Sequence, residues 1–390
     1  MSTVSDITSV RGLWTPVAAV GLATFSVVTT EMLPVGLLTS IAGTLSVSTG
    51  SAGLMISLPA LLAALFAPFV VIASGGINRR WILCGLLALL VLANVASALA
   101  PNLGIMLVAR TCVGFCMGGI WAIAGGLAAR LVPEKAVGLA TSIIFGGVAA
   151  ASVLGVPLGA FTGDIFGWRW AFGGMACFSA LVLALHLAVI PSLPVSHSAN
   201  LSQFIAQLGN RKVLAGLMLT LLLVASHFVA FTFVRPLLIS VSGFSAQWTG
   251  AILFAYGIAG IAGNFLVGIA AARHTPLTLM AVATGLMLTP LLFLAGGQTV
   301  TGGGAILLFW GLAYGGLSVG LMTWMMKAAP HAVEIAAALY VGVFNIGIAT
   351  GAWTGGKMVD ALALTDPLWL ASGLAAAALV LAIIAGRTQT

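Results

Sequence analysis

Charged side chains are scarce in this chain of 390 residues: only 5% of the residues are Asp, Glu, Lys or Arg, whereas 61% are hydrophobic. A soluble globular domain carries about 25% charged residues, which cover the surface that faces water. So few charges cannot cover the surface of a soluble chain of this length. The 49 glycines agree with this, because glycine is more frequent in transmembrane helices than in soluble ones. The composition therefore excludes a water-soluble protein and predicts an integral membrane protein.

Residues for metal binding or covalent chemistry are also few. The four cysteines lie in apolar runs, form no CxxC pair and have no histidine at metal-ligand spacing. Two strings match enzyme motifs by letter, GxSxG at 316–320 and the start of a Walker A sequence at 351–357. The first lies inside an apolar span and not on the strand-to-helix turn that the motif needs. In the second, Met358 replaces the Ser or Thr that would hold magnesium. We therefore predict that the protein is not an enzyme and has neither a metal site nor a cofactor.

The 14 lysines and arginines outnumber the 7 acids, so the net charge is +7. The cations are scattered rather than clustered into the basic patch that nucleic acid requires, so we predict no nucleic-acid partner. If the N-terminus is cytoplasmic, ten of them fall on the inner side and three at the outer face. The ten are Arg11, Arg79, Arg80, Arg130, Lys135, Arg211, Lys212, Arg273, Lys327 and Arg387, and the three are Arg169, Arg235 and Lys357. This bias follows the positive-inside rule and predicts a multi-pass protein of the cell inner (cytoplasmic) membrane with both termini in the cytoplasm.

Twelve apolar runs are long enough to cross a bilayer, which takes about 20 helical residues. They are residues 14–40, 50–73, 81–100, 104–128, 137–162, 169–191, 213–238, 247–270, 276–295, 303–325, 333–358 and 367–386. Short polar breaks separate them. The sequence therefore predicts an all-α integral membrane fold with twelve transmembrane helices.

The longest polar stretch, residues 191–212, lies near the middle of the chain. It predicts a cytoplasmic linker between an N-terminal six-helix bundle, residues 1–190, and a C-terminal six-helix bundle, residues 213–390. Within the linker, Ser202–Leu208 is either a short amphipathic helix or a disordered strand.

The two predicted bundles show weak internal similarity. A shift of 197 residues places Pro133 on Pro330 and Gly159 on Gly356. A repeat of half the chain length is typical of transporters built from two parallel bundles. The fold class that we predict is therefore two pseudo-symmetric six-helix bundles around a central cavity.

Two charged side chains lie inside predicted spans. Glu31 is about 18 residues into the first span and Arg110 is about six residues into the fourth, which runs the opposite way, so both lie at similar depths in the outer half of the bilayer. A charge in a membrane normally faces a partner or a water-filled cavity. A carboxylate that alternates between an apolar environment and a nearby arginine binds and releases a proton. Glu31 is thus a candidate proton carrier. The alternatives are a fixed Glu31–Arg110 pair that joins two helices, and contact with lipid headgroups.

Other residues are candidates for a substrate cavity. His227 lies in the outer half of the seventh span, and the shift of 197 places it opposite Thr30. It either binds substrate or titrates near neutral pH, or it is hydrogen-bonded to a neighbouring helix. The predicted cavity residues are Trp121, His227, Phe231, Tyr256, Tyr340 and Asn345. Aromatic residues at helical spacing are more often packing residues than ligand contacts.

Four short motifs occur in order along the first six spans. Residues 30–38 read TEMLPVGLL, and the fourth span contains Arg110-xxx-Gly114-xxx-Gly118-Gly119. The fifth span contains Gly155-Val156-Pro157-Leu158-Gly159, and residues 167–172 read GWRWAF.

Together these motifs resemble the twelve-span drug:proton antiporter family of the major facilitator superfamily. The first is similar to the TEFLPVGLL signature of its sugar, arabinose and nucleoside exporters. The second is similar to the family's motif B, whose arginine is linked to proton coupling. The third is similar to the antiporter motif, represented by Gly155, Pro157 and Gly159, and the fourth to the GWR-x-x-F sequence at the start of span six.

The resemblance implies a monomer that exports a small solute in exchange for protons by alternating access. Glu31 would carry the proton and Arg110 would modulate it. The implied partners are a small-molecule substrate, protons and membrane lipids. Because few charges line the spans, a neutral substrate is favoured: a sugar, a nucleoside or a drug. The alternatives are a proton-independent facilitator, in which Glu31 is structural, and more remotely a membrane sensor that does not transport.

The loop between spans two and three departs from the family pattern GxLADRxGRR. Residues 71–80 read VIASGGINRR, so Gly75 stands where an aspartate is expected. The acid that normally accompanies the two arginines of this cytoplasmic loop motif is therefore missing from the loop. Arg79 and Arg80 are predicted to contact lipid headgroups instead.

Overall fold

The computed structural model describes residues 4–73, 77–133, 136–194 and 201–386, and these ranges contain helices and no β-strand. Apolar runs fold as helices in a membrane because a helix satisfies its backbone hydrogen bonds within the segment. The helices are α1 (Val4–Leu45), α2 (Thr49–Ala52), α3 (Leu54–Ala73), α4 (Arg79–Leu99), α5 (Leu103–Leu131), α6 (Val137–Phe166), α7 (Trp168–Val189), α8 (Leu201–Leu208), α9 (Arg211–Phe231), α10 (Val234–Pro236), α11 (Ala246–Gly296), α12 (Val300–Gly315), α13 (Leu317–Ala328), α14 (Val333–Ala361) and α15 (Asp366–Gly386). A π-helical turn, Leu237–Val241, follows α10.

Eleven helical stretches of the described chain are long and apolar enough to span a membrane. One of them, α11, has 51 residues and bends at His274, where the backbone leaves helical geometry (φ −134°, ψ 69°). It therefore supplies two crossings, the predicted spans 247–270 and 276–295. The prediction of twelve transmembrane helices is confirmed, although the eighth and ninth are joined without a loop.

Lys327 stabilises this bend. Pro276 has no N–H, so it cannot bond the carbonyl of Ala272, four residues earlier. The Lys327 ammonium donates to the Ala272 carbonyl at 3.1 Å, to the Ala271 carbonyl at 3.2 Å and to Thr275 Oγ1 at 2.8 Å. A cation from α13 therefore replaces the hydrogen bond that the proline removes.

The packing differs between the two faces of the membrane domain. We name them the terminal face, where α1 begins and α15 ends, and the distal face opposite. One hydrophobic core combines residues of the C-terminal half with residues from the distal parts of the N-terminal half, such as Leu33, Met55 and Phe172. A second core contains only N-terminal residues from nearer the terminal face, such as Leu87 and Ile144. The halves therefore share a core at the distal face only.

Polar contacts also join the halves at the distal face. Arg235, after α9, forms an ion pair with Asp164 at the end of α6 and donates to the Gly36 carbonyl at 2.7 Å and to Thr39 Oγ1 at 2.9 Å, both on α1. Its side chain is only 2% exposed.

Asp360, near the end of α14, makes a second set of contacts. Its carboxylate accepts hydrogen bonds from Ser48 Oγ at 2.6 Å and from the Gly50 backbone N–H at 2.9 Å. We name the side chains of Arg235, Asp164, Asp360 and Ser48 the distal latch.

The linker region contains the short helix α8, one of the two alternatives for Ser202–Leu208. The beginning of the linker is bonded to the start of α4. Asn78 Oδ1 accepts from the Leu193 N–H at 2.9 Å, and the Arg79 N–H donates to the Leu193 carbonyl at 3.1 Å. The Arg80 guanidinium donates to the Leu187 carbonyl at 2.7 Å and lies 5.6 Å from the centroid of the Trp81 ring. Gly75 lies outside the described residues. Lipid contact by Arg79 and Arg80 stays a prediction, as do the bundle boundaries 1–190 and 213–390.

Candidate functional site

Arg110 joins three helices through backbone carbonyl groups. Its side chain is fully buried and donates from Nε to the Met55 carbonyl at 2.9 Å, from Nη1 to the Thr30 carbonyl at 2.8 Å and from Nη2 to the Glu31 carbonyl at 3.0 Å. Two of these carbonyls lie four residues before a proline, Pro34 on α1 and Pro59 on α3. Proline cannot supply the helical N–H, so each carbonyl is left without its usual donor. Arg110 satisfies both.

The close approach of α5 to α3 allows the guanidinium to reach these carbonyls. A Cβ atom on Gly114 would lie 2.5 Å from the Pro59 carbonyl oxygen, and one on Gly118 would lie 2.6 Å from the Ala63 carbonyl oxygen. Only glycine fits at such distances, as is usual where membrane helices touch. The predicted motif with Arg110 therefore works as one unit: the glycines bring α5 close and the arginine bonds the carbonyls.

The Glu31 carboxylate is buried but is not ion-paired in the described part of the chain. Its side chain is 1% exposed, and Oε1 has no hydrogen-bond partner among the described residues. Arg110 is close enough to interact with its charge, yet the arginine bonds the Glu31 backbone carbonyl rather than the carboxylate. Arg110 therefore joins the helices through backbone carbonyls and not through the Glu31 carboxylate. The role of Glu31 as a proton carrier stays a prediction.

The antiporter motif lies where α6 packs against α1. A Cβ atom on Gly155 would lie 3.3 Å from Met32 Cβ, and one on Gly159 would lie 2.8 Å from the Leu33 carbonyl oxygen. Pro157 is buried inside α6. The motif therefore sits directly beside the segment of α1 that carries Glu31. Its role in antiport stays a prediction.

Four aromatic rings from the C-terminal half form a continuous stack. Tyr314 and His227 have ring centroids 3.5 Å apart, His227 and Phe231 4.6 Å apart, and Phe231 and Tyr256 4.8 Å apart, with interplanar angles of 11°, 24° and 25°. Trp310 packs edge-on against His227, and its indole N–H donates to His227 Nδ1 at 3.1 Å. We name these five residues the aromatic stack.

The aromatic stack belongs to the C-terminal half, and one of its rings lies within electrostatic range of Glu31 in the N-terminal half. Tyr314 lies near enough to interact electrostatically with Glu31 and with Tyr340. Two polar atoms of the aromatic stack, His227 Nε2 and the Tyr256 hydroxyl, are buried without hydrogen-bond partners in the described chain, and so is Glu31 Oε1. Unpaired buried polar atoms are rare in proteins, and each one requires an explanation such as a bound water, an ion or a functional role.

The predicted cavity residues separate into two groups. His227, Phe231 and Tyr256 come together in the aromatic stack, and Tyr340 lies beside it with its hydroxyl 3.4 Å from the Ser318 carbonyl. Asn345, on α14, donates to the Val341 carbonyl at 2.9 Å, which leaves its side-chain oxygen unpaired. Trp121 is different, because it packs against the core of the N-terminal half.

Two parts of this geometry were not predicted as site residues. Tyr314 completes the aromatic stack, and its position four residues after Trp310 places both on one face of α12, which is the signal that the sequence contains. The distal latch was also missed. Asp164 and Asp360 are two of only seven acids, and each stands at the end of a span, but their partners are 71 and 312 residues away in sequence.

Residues 20–352 match the family model described as the Major Facilitator Superfamily. The chain belongs to this superfamily. Its architecture agrees with solved structures of the same fold. A bacterial homologue of the human lysosomal transporter Spinster, inward-facing and unoccupied, superposes with a TM-score of 0.78 over 96% of this chain and 97% of that one, at 16% identity. A point mutant of the nucleoside transporter NupG superposes with a TM-score of 0.78 over 95% and 99% of the two chains, at 15% identity.

Curated relatives of this superfamily member cover nearly its whole length. The purine ribonucleoside efflux pump NepI of Salmonella paratyphi A (strain ATCC 9150 / SARB42) is 33% identical over 364 residues, which is 93% of this chain and 92% of the relative. NepI of Escherichia coli O127:H6 (strain E2348/69 / EPEC) is 31% identical over the same shares. The protein is therefore a multi-pass membrane transporter of the major facilitator fold, and not an enzyme.

Proposed function

We propose that this transporter exports a neutral nucleoside, of the purine ribonucleoside class, from the cytoplasm in exchange for protons. The observation that carries the proposal is the buried Glu31 carboxylate, which has no ion-pair partner in the described chain and lies within electrostatic range of Tyr314, one ring of the aromatic stack. Two other members of the stack, His227 and Tyr256, carry buried polar atoms without partners among the described residues. A purine base has a flat π surface that stacks on aromatic rings, and a ribonucleoside carries several hydrogen-bonding groups. The relatives named as purine ribonucleoside efflux pumps support this substrate class over a sugar or a hydrophobic drug.

Proton exchange follows from where Glu31 lies. A carboxylate in an apolar site binds a proton more readily than one that faces water or a polar ligand, so substrate binding and protonation compete. Competition for one site between a substrate and a proton is what antiport requires. The alternative, a proton-independent facilitator, assigns Glu31 a structural role. That role is already filled by Arg110, which joins α1 to α5 without using the Glu31 carboxylate.

The orientation, location and bundle boundaries complete the proposal. We place the protein in the cell inner membrane as a monomer, with both termini and the linker 191–212 in the cytoplasm and the bundles at 1–190 and 213–390. The terminal face is then cytoplasmic. Because the halves share a core and the distal latch only at the distal face, this arrangement corresponds to an inward-facing state that receives substrate from the cytoplasm.

A gradient-driven accumulation assay tests the proposal. Purified protein in liposomes with an acidic lumen is given tritiated adenosine, inosine, arabinose or a cationic drug, with valinomycin and potassium holding the voltage at zero. Antiport predicts accumulation of the purine nucleosides, up to about 100-fold for a gradient of about two pH units and one proton per solute. Uptake that stops at equal concentrations inside and outside would support the facilitator. Accumulation of arabinose or the drug alone would reject the nucleoside class.

A further inference from the structure

The imidazole of His227 is fixed in plane and position by its neighbours. It is 1% exposed and is sandwiched between the rings of Tyr314 and Phe231, which belong to α12 and α9. A ring held on both faces cannot turn about its side-chain torsion without displacing one of these aromatics. The two nitrogen atoms of the ring therefore point in set directions.

The hydrogen bond from Trp310 determines which nitrogen of the His227 ring carries the proton. An indole N–H is only a donor, so His227 Nδ1, which lies 3.1 Å from Trp310 Nε1, must accept. In a neutral imidazole one nitrogen accepts and the other donates, so the proton of His227 is on Nε2. An imidazolium would place a second N–H against that of Trp310, so this contact favours the neutral ring.

The Nε2–H group is then a buried donor with no acceptor among the described residues. Leaving a buried donor unpaired costs free energy. The ring cannot avoid this cost by moving the proton to Nδ1, because Nδ1 accepts from Trp310. Tyr256, in the same stack, also has a buried hydroxyl without a partner among the described residues, and Tyr314 lies within electrostatic range of Glu31. A donor so placed is complementary to a ligand that brings an acceptor atom.

We infer that His227 is a specificity-determining residue, which donates its Nε2–H to one acceptor atom of the substrate, and that Trp310 is the positioning residue that sets this tautomer. The inference rests on the proposed function and deepens it. The site accepts a solute that presents a ring nitrogen or an oxygen to His227 and discriminates against an otherwise identical solute that lacks it.

Competition binding with single-atom analogues tests the donor role. Tritiated adenosine or inosine, bound to detergent-purified protein, is displaced by the parent nucleoside and by its 3-deaza, 7-deaza, 2′-deoxy, 3′-deoxy and 5′-deoxy analogues. In wild type, one analogue should compete about 5- to 100-fold less well than the parent. In His227→Leu that penalty should fall to about onefold, because the protein no longer offers the donor. His227→Gln, whose amide keeps an N–H near the position of Nε2, should retain most of the penalty.

His186→Leu is the matched control, because His186 is also a fully buried histidine of a span, and in the described structure its Nδ1 lies 2.9 Å from the Val182 carbonyl of its own helix. It should leave the analogue profile unchanged. The inference is overturned if every analogue keeps the same penalty in His227→Leu as in wild type.

The role of Trp310 is tested separately by nitrogen NMR of protein labelled with ¹⁵N-histidine in nanodiscs at pH 7. The His227 signal, identified by its absence in His227→Gln, should show a protonated Nε2 and an unprotonated Nδ1. Trp310→Phe should abolish the single tautomer. Trp324→Phe is the control and should leave it unchanged, because Trp324 is equally buried but donates to the Lys212 carbonyl, at 2.9 Å, and not to His227. A protonated Nδ1 in wild type, or no change in Trp310→Phe, overturns the assignment.

The two readouts separate the inference from the proposed function. If wild type binds no nucleoside, the proposed substrate class is wrong. The NMR experiment still tests the tautomer of His227 and the role of Trp310, because it needs no substrate. If wild type binds nucleosides but the analogue penalties do not depend on His227, the proposed function stands and the inference fails.

Discussion

Arg110 replaces two backbone hydrogen bonds that prolines remove from neighbouring helices. In hydrocarbon there is no water to satisfy a free carbonyl, so each unpaired group is costly. A guanidinium has several donors in a rigid planar fork, whereas a lysine ammonium is a single compact point. Arg110 uses three different nitrogen atoms to bond the carbonyls of Thr30 and Glu31 on α1 and of Met55 on α3, so its fork spans two helices.

We expect Arg110→Lys to destabilise the protein by about 2 kcal/mol or more, because at least one buried carbonyl loses its donor. The measurement is thermal unfolding of the purified protein in detergent. Pro34→Ala restores the backbone N–H that would donate to the Thr30 carbonyl. It should therefore destabilise the protein less in the Arg110→Lys background than in wild type, or even stabilise it. Strictly additive effects of the two substitutions would contradict this account.

The sequence located the charged residues but not their partners. Counting along the spans predicted that Glu31 and Arg110 lie at similar depths, and the structure places them near each other. That Arg110 bonds backbone carbonyls could not be predicted, because the carbonyls exposed by Pro34 and Pro59 become acceptors only once α1, α3 and α5 pack together. Lys327 at the Pro276 bend repeats this arrangement and was missed for the same reason.

Pairs of helices meet at glycines in both halves. In the C-terminal half, a Cβ atom on Gly315 would lie 1.9 Å from the Gly260 carbonyl oxygen, so α12 and α11 approach with no space for a side chain. Gly174, on α7, has no atom within 4 Å of the corresponding position.

We expect Gly315→Ala to destabilise the protein by about 1–3 kcal/mol, because the methyl group forces the two backbones apart. Gly174→Ala should be neutral or stabilising by up to about 1 kcal/mol, since alanine is the better helix former. Thermal unfolding of both variants beside wild type provides the comparison. Equal behaviour of the two would show that α11 and α12 do not pack as closely as described.

The distal latch should bias the transporter toward closure of the distal face. Asp360→Ala removes two hydrogen bonds between the halves, those with Ser48 and with the Gly50 N–H. At about 1 kcal/mol each, their loss should raise the population open at the distal face roughly tenfold or more.

Spin labels at Leu99 and Val300, both exposed on the distal side and in different halves, report this population as a distance distribution. A longer distance should appear or grow in Asp360→Ala. Asp366→Asn is the control, because Asp366 lies on the same face and, among the described residues, its carboxylate accepts from the Ala363 N–H of its own half. An unchanged distance distribution in Asp360→Ala would show that these hydrogen bonds do not hold the distal face closed.

At the element scale, apolar length predicted the helices closely. The predicted span 81–100 became Arg79–Leu99, and 104–128 became Leu103–Leu131. The break near residue 270 became a bend inside α11, because Lys327 satisfies the carbonyls that would otherwise require water and a loop. The short contacts of the distal latch could not be predicted, since they depend on which helices of the two halves meet.

The whole molecule combines a closed distal face, separate cores toward the terminal face and a polar site between the halves. Alternating access requires that the distal contacts break as contacts form at the terminal face, with the site remaining between them. Composition and the lengths of the apolar runs predicted the membrane fold and its twelve crossings, and the sequence motifs predicted the superfamily. They did not predict which face is closed, because several states of one transporter share one sequence.

The central claim is that a nucleoside and a proton exchange at Glu31. The most direct measurement is proton movement caused by solute in liposomes that enclose the pH-sensitive dye pyranine, with the voltage held at zero and no imposed pH gradient. A pulse of adenosine or inosine outside should alkalinise the lumen in wild type and in the control Asp366→Asn. Glu31→Gln should abolish this signal and still exchange labelled for unlabelled nucleoside. A proton signal that persists in Glu31→Gln, or nucleoside entry into wild-type liposomes without any proton movement, would contradict the account.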